Sequence, residues 1–254
     1  MRATLEQVRA VPTPAPVGIW HPVGHERFLN EIDEAVDEIG LEVTGKQFDL
    51  MNDGDRLFGT YAIGGFDCHD IPGGVGFKIG FKGSIDKSLS QAIAYGTDVF
   101  VCSNGMFAGE RIISRKNTTH ALTNLWLRIR QALSGFEAFR NLQTKQYKRL
   151  AETPLTDMQA HDFVCRAIRK GRGAIVGRGK DIADLLDEWH KPKHDFGGKT
   201  AWCLHNAFTE IAKDMFELNP VTAAARTISL DSMFAREFAS DLPKLEDVAP
   251  LIEN

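Results

Sequence analysis

The chain has 254 residues, 43% of them hydrophobic and 25% charged, with 23 Gly, 10 Pro and a formal net charge of -4. That composition excludes a wholly disordered, collagen-like or disulfide-scaffold protein, and the length suits one large domain or two small ones, each able to bury a core. No run of about 18 apolar residues is present and residues 1–16 lack the apolar stretch of a signal peptide, so the expectation is a soluble cytoplasmic protein with no membrane partner.

In chain order, VPTPAPV at 11–17 reads as an extended Pro-rich lead. The following HERFLNEIDEAVDEIG places Phe28, Leu29, Ile32, Val36 and Ile39 at helical spacing and stops at Gly40, an amphipathic helix with an acidic outer face. Three β-type runs follow with Gly or Asp punctuation: LEVTGKQFDL, RLFGTYAIGG and GVGFKIGFKG. In the last, Val75, Phe77, Ile79 and Phe81 alternate with Lys78 and Lys82. Ser84 to Tyr95 then reads as a helix capped by Ser84 and stopped by Gly96. DVFVCSN reads as a buried strand and GERIISRKNT as a further strand.

Thr119 to about Leu150 is predicted helical, with an apolar stripe of Leu122, Leu125, Trp126, Ile129, Leu133 and Phe136 and a bend at Gly135. Further helices are predicted over Thr156–Lys170, Asp181–Trp189 and Ala201–Phe216, with a mixed, acidic, peripheral end. The expected fold is α+β: a curved, mostly antiparallel sheet with a β-β-β-α-β-β core, helices packed on one side and a helical second half. Its parts are a lead and N-terminal helix (1–40), a β-rich core (41–118), a helical part (119–230) with a basic loop at 166–180, and an acidic tail (231–254), read as one integrated domain.

The small net charge is unevenly distributed. Residues 1–109 carry 8 basic and 15 acidic side chains, 110–180 carry 15 and 5, and 181–254 carry 7 and 14. A basic middle between acidic flanks predicts either a polyanionic partner or a segment folded against the protein's own acids, and the sequence leaves both open.

Catalytic motifs are weak. AIVGRGKD at 174–181 departs from a phosphate-binding loop, with Ala174 in place of the first glycine and Asp181 in place of the hydroxyl residue. His21 with His25, Cys68-His69-Asp70, and His190 with His194 lack the spacing of a metal site. Four widely spaced cysteines, Cys68, Cys102, Cys165 and Cys203, form no C-x-x-C pair and point to reduced thiols. The expectation is therefore a protein without cofactor or catalytic residues. A single-strand binder instead needs cations that follow phosphates and aromatic rings on which bases stack, and Phe107, Tyr147, Trp189 and Phe196 are the ring candidates.

The stretch GFKGSIDKSLSQAIAYGTDVFVCSNGMFAGERIISRKNTTH (76–120) resembles a phage- and plasmid-borne family known as domain of unknown function 932. The resemblance also rests on the Val11–His25 segment, the S-x-D-K-S turn (Ser84, Asp86, Lys87, Ser88), Val99–Asn104, the R-K-x-T stretch (Arg115, Lys116, Thr118), and the late Trp202, Asn206, Ala207, Phe208, Thr209 and Glu210 followed by Arg226 and Thr227. It implies a mobile-element or phage protein. The β-β-β-α reading is more distantly similar to single-strand annealing proteins of the RecT and Red-beta type, which implies a homo-oligomeric ring or filament with a basic groove for one strand.

On that basis single-stranded DNA is the expected partner, with a host or phage replication protein as a further one. Lys78, Lys82, Lys87, Arg111, Arg115 and Lys116 are expected to line one groove, joined by Arg128 and Arg130 and by Arg172, Arg178 and Lys180 of the basic loop. Asn104, Asn206 and Glu210 are expected either to orient those cations or to satisfy buried backbone groups, and Asp86 to cap or to act chemically. Two other readings are an accessory protein that binds a host protein and a metal-dependent nuclease.

Overall fold

A computed structural model describes residues 2–100, 104–114, 123–169, 179–244 and 247. The elements are β1 (Arg2–Ala3), α1 (Leu5–Arg9), α2 (His25–Glu38), β2 (Val43–Met51), β3 (Arg56–Cys68), β4 (Val75–Ser84), β5 (Gln91–Val99), β6 (Asn104–Ser114), α3 (Leu125–Ser134), α4 (Phe136–Glu152), α5 (Asp157–Arg169), α6 (Gly179–His190), α7 (Ala201–Leu218) and α8 (Pro220–Phe238). The strands form one antiparallel sheet in the order β1-β2-β3-β4-β5-β6, so neighbours in sequence are neighbours in space.

Alternation along the strands gives the sheet two unlike faces. One carries Leu57, Tyr61, Ile79, Phe81, Ile93 and Tyr95, which form a core with Phe28, Leu29, Ile32 and Val36 of α2 and with Leu125, Ile129 and Leu133 of α3. Phe81 takes Phe28 edge-on at 6.1 Å and Tyr61 at 5.0 Å, the favoured geometry for ring quadrupoles. The ring fits because Gly59 lies beneath it: a Cβ there would stand 2.3 Å from Phe81.

The opposite face is built from small residues. The register aligns Gly45, Ala62, Lys78, Gly96 and Phe107 in one row across five strands, and Thr60, Gly80 and Ala94 in the next. The Phe107 ring packs against Gly80 and Gly96, where added Cβ atoms would come within 2.4 and 2.8 Å of it. Helix α8 covers the β5–β6 side of this face, packing Ala224 with Phe58, Ala94 and Phe107. A second large cluster, around Tyr147, Trp189, Trp202, Phe208 and Phe234, joins α4 to α8.

The α+β class, the antiparallel sheet and the helical second half are as expected; three details differ. Ser84–Tyr95 is not a helix, so the core is an uninterrupted meander. Asp86 Oδ1 accepts the Ser88 N–H, the Ser84 hydroxyl accepts the Leu89 N–H, and Lys87 sits in the left-handed region at φ 68. These side chains replace the backbone bonds of a first helical turn, and the chain re-emerges as β5. Helices cover both faces rather than one, because the small-residue face also buries apolar groups under α8. The expected peripheral end is helical through Phe238, with Phe234 fully buried.

Candidate nucleic-acid interface

The basic middle segment meets the acidic flanks. Arg130 of α3 donates to both carboxylate oxygens of Glu38 at 2.5 Å and lies 3.9 Å from Glu31 and from Glu34, three acids on one side of α2. Lys148 pairs with Asp70, Arg149 with Asp241 at 3.0 Å, and Arg166 with Asp162 and Glu237 at 2.8 Å each. Each contact favours the charged forms: the Arg130 guanidinium holds Glu38 below the usual carboxylate range, and Lys148 does the same for Asp70. Of the two readings of the charge asymmetry, internal pairing therefore accounts for these four cations.

The expected contact residues divide accordingly. Lys78 is buried, its Nζ 2.7 Å from Asp98 and 5.0 Å from the Phe107 ring centroid. Lys82 is half-buried in register with Phe58 and Ala92. Lys87 is exposed, its Nζ 4.4 Å from the Trp20 ring centroid. Arg111 lies in β6, its backbone paired with Ile93 of β5, and Lys78 and Lys82 belong to rows of the small-residue face. Lys78 and Lys82 lie on β4 and Arg111 on β6, with β5 between them. Arg128 is half-buried on α3, and Lys180 is the second residue of α6. Arg115, Lys116, Arg172 and Arg178 lie outside the described residues, as does most of the 174–181 loop.

The stacking candidates are corrected outright. Phe107 and Trp189 are 0% exposed, Tyr147 1% and Phe196 3%, each consumed by a hydrophobic cluster or by packing on glycines. Trp126, which the sequence assigns to the apolar stripe of α3, is instead 49% exposed and carries Arg130 5.3 Å over its ring. Helix α3 buries only Leu125, Ile129, Ala132 and Leu133, an arc too narrow to include Trp126 and its neighbour Leu127. A stripe wider than the arc a two-helix contact can bury was the available signal.

Other singled-out groups are structural. His25 is buried with Nε2 2.8 Å from the Gly54 carbonyl, and burial lowers its pKa. Asp86 holds the β4–β5 turn and lies 3.7 Å from Arg56. The Asn206 amide donates to the Trp202 carbonyl, and Glu210 pairs with Lys193 and Lys213. Asn104 opens β6 opposite Val99. Cys68, Cys165 and Cys203 are in no disulfide, and the Cys68 sulfur lies 3.4 Å from the Thr144 hydroxyl. Among the described residues no group of three or more His, Cys, Asp or Glu side chains converges as a metal site, and no helix is long and apolar enough to cross a membrane.

No curated protein and no solved structure matches the chain. A family model does match, over residues 20–233, which takes in α2, the sheet from β2 to β6 and the helices through most of α8. The chain belongs to the family described as domain of unknown function (DUF932).

Proposed function

We propose that this protein binds single-stranded nucleic acid, with DNA as the primary ligand. The observation that carries the reading is the sequence position of cations in stretches that contain no acid. Arg130, Lys148, Arg149 and Arg166 are matched to flank acids. Residues 115–122 and 170–178 together contain five Lys or Arg and no acid. The first of these stretches leads from β6 into α3, whose opening turn exposes Trp126. Cations and an exposed indole next to each other in the chain are what a single strand needs: charge for its phosphates and a flat apolar surface for a base. Arg115, Lys116, Arg172 and Arg178 are then the principal phosphate contacts, with Lys87 and Lys180 supporting, and Lys78 is withdrawn from the set by its burial.

The test is Trp126→Ala. Loss of one base stack, about 1–3 kcal/mol, weakens oligonucleotide binding by roughly five- to 150-fold. An unchanged affinity removes Trp126 from the interface. Annealing by a ring or filament of this chain extends the same reading, and the particle mass with and without a single strand checks it: growth on the strand supports it, a constant monomer mass does not.

One observation favours a second reading, an accessory protein that docks on a host protein. Val17 and Ile19 are 65% and 80% exposed in a short turn closed by reciprocal Val17–Trp20 hydrogen bonds, so an apolar tip faces solvent. In that case Ile19→Asp abolishes capture of the partner after nuclease treatment and leaves DNA binding intact.

A further inference from the structure

We propose that the open half of the small-residue sheet face is a binding site for a mononucleotide, separate from the strand interface. A cleft of about 730 Å³ lies between β2–β4 and the α7–α8 junction. That volume falls within the range of small-molecule sites, about 300–1,000 Å³.

Its floor is flat because Gly45, Thr60 and Ala62 carry little or no side chain. Aromatic rings border that floor: Phe216 on the helix side, backed by the buried Phe58 and Phe107, and Phe100, 46% exposed, at one end. A planar ring can lie on such a surface with apolar contact around its rim.

The polar groups at the base are a donor and an acceptor side by side. The Lys78 side chain is 10% exposed and its Nζ donates to Asp98 Oδ1 at 2.7 Å, while the Asp98 side chain is 38% exposed. Lys78 has three donors and Asp98 a second carboxylate oxygen, so the pair retains capacity to give one hydrogen bond and accept another. The edge of a nucleobase presents that complement, an acceptor next to an amino group. Thr60 and Thr209 add hydroxyls.

The lining also has an anion-binding side. Its cations are Arg2, Lys46 and Lys213, besides the buried Lys78 that is paired with Asp98, and Asp49 and Glu217 are the other acids of the lining. Arg2 is 61% exposed, donates to Gln47 Oε1 at 2.6 Å and lies 3.5 Å from Asp49, while Lys213, 36% exposed, pairs with the 12%-exposed Glu210 at 2.6 Å. The exposed Arg2–Asp49 pair is weak enough to exchange for a phosphate. Pro220, the first residue of the 19-residue α8, borders the same cleft, so the positive end of that helix dipole adds to the field there.

The experiment titrates the full chain with dAMP, dGMP, dCMP and dTMP, with the matching nucleosides, and with inorganic phosphate, by calorimetry or ligand-observed NMR. At least one nucleotide is expected to saturate, its nucleoside to bind at least fivefold more weakly, and phosphate alone to give no saturation at the same concentrations. Ala62→Trp fills the floor and is expected to reduce nucleotide affinity at least tenfold. Lys213→Glu, a surface change that leaves the core untouched, is expected to weaken the nucleotide at least threefold and the nucleoside not at all. Failure of every mononucleotide to saturate at several millimolar, binding undiminished in both variants, or phosphate binding as tightly as the nucleotide would overturn the assignment. Oligonucleotide affinity measured on the same Ala62→Trp sample is expected to be unchanged, so the cleft and the strand interface succeed or fail separately.

Discussion

Two buried titratable residues oppose each other in their effect on stability. Asp231 is fully buried and its pKa is pushed up to about 7 by burial, even though Gln143 and Gln146 each donate to Oδ1 at 2.9 Å. The folded state thus keeps a proton that the unfolded chain releases near pH 4. Stability is fullest below that pH, declines as pH rises, and levels off above about 7, a total loss of about 4 kcal/mol. His205, stacked on Trp202 at 5.1 Å, is lowered to about 3 by burial, and neither ring nitrogen has a hydrogen-bond partner among the described residues. Here the unfolded chain takes up a proton below about 6.5 and the folded one does not, so stability falls as pH drops from there toward 3. Thermal melts from pH 4 to 8 separate the two. Asp231→Asn, which can still accept from both glutamines, gains most over the parent at pH 8 and least at pH 4. His205→Phe gains most at pH 4. A parallel shift across the whole range in either variant contradicts the assignment.

At the scale of elements, the glycines of β4 and β5 set how closely Phe107 can approach the sheet. Gly96→Ala places a methyl 2.5 Å from the Met106 carbonyl as well as 2.8 Å from the ring, and backbone cannot move aside as a side-chain tip can. For Gly80→Ala the three nearest atoms all belong to the ring, the first at 2.4 Å. Both are expected to destabilise by about 1–3 kcal/mol, read as a shift in denaturant midpoint, with Gly96→Ala the larger. Much of this layer is legible in sequence. Alternation in GVGFKIGF gives β4, the periodicity and Gly40 give α2, and Gly135 divides α3 from α4. Ser84–Tyr95 is not, because Ala92, Ala94 and Gly96 are small enough to suit a helix or the crowded face of a strand. Only the row beneath Phe107 decides between them. Trp126 and the four buried rings are misjudged for a related reason: periodicity tells which residues share a face, and the neighbours that cover the face come from far along the chain.

Across the molecule, the charge distribution is the main organising feature, and it was visible in sequence as a basic middle between acidic ends. Which cations meet which acids was not, since Arg130 and Glu38, or Arg166 and Glu237, are brought together only by the fold. Exposed pairs of this kind contribute roughly 0–1 kcal/mol each. Arg166→Ala is accordingly expected to lower stability only slightly, and less still in high salt, by chemical denaturation. On the proposed reading, these pairs occupy four cations of the basic segment, and the stretches 115–122 and 170–178, which contain no acid, contact the strand. The most direct measurement of that claim is the anisotropy of a labelled single-stranded oligonucleotide titrated with protein from low to physiological salt. The parent is compared with a variant carrying Arg115→Glu, Lys116→Glu, Arg172→Glu and Arg178→Glu. The account predicts binding whose log affinity falls linearly with log salt, by about 0.7 per phosphate contacted, and a much smaller slope and affinity in the variant. No binding at low salt, or equal affinity and slope in the two proteins, contradicts it.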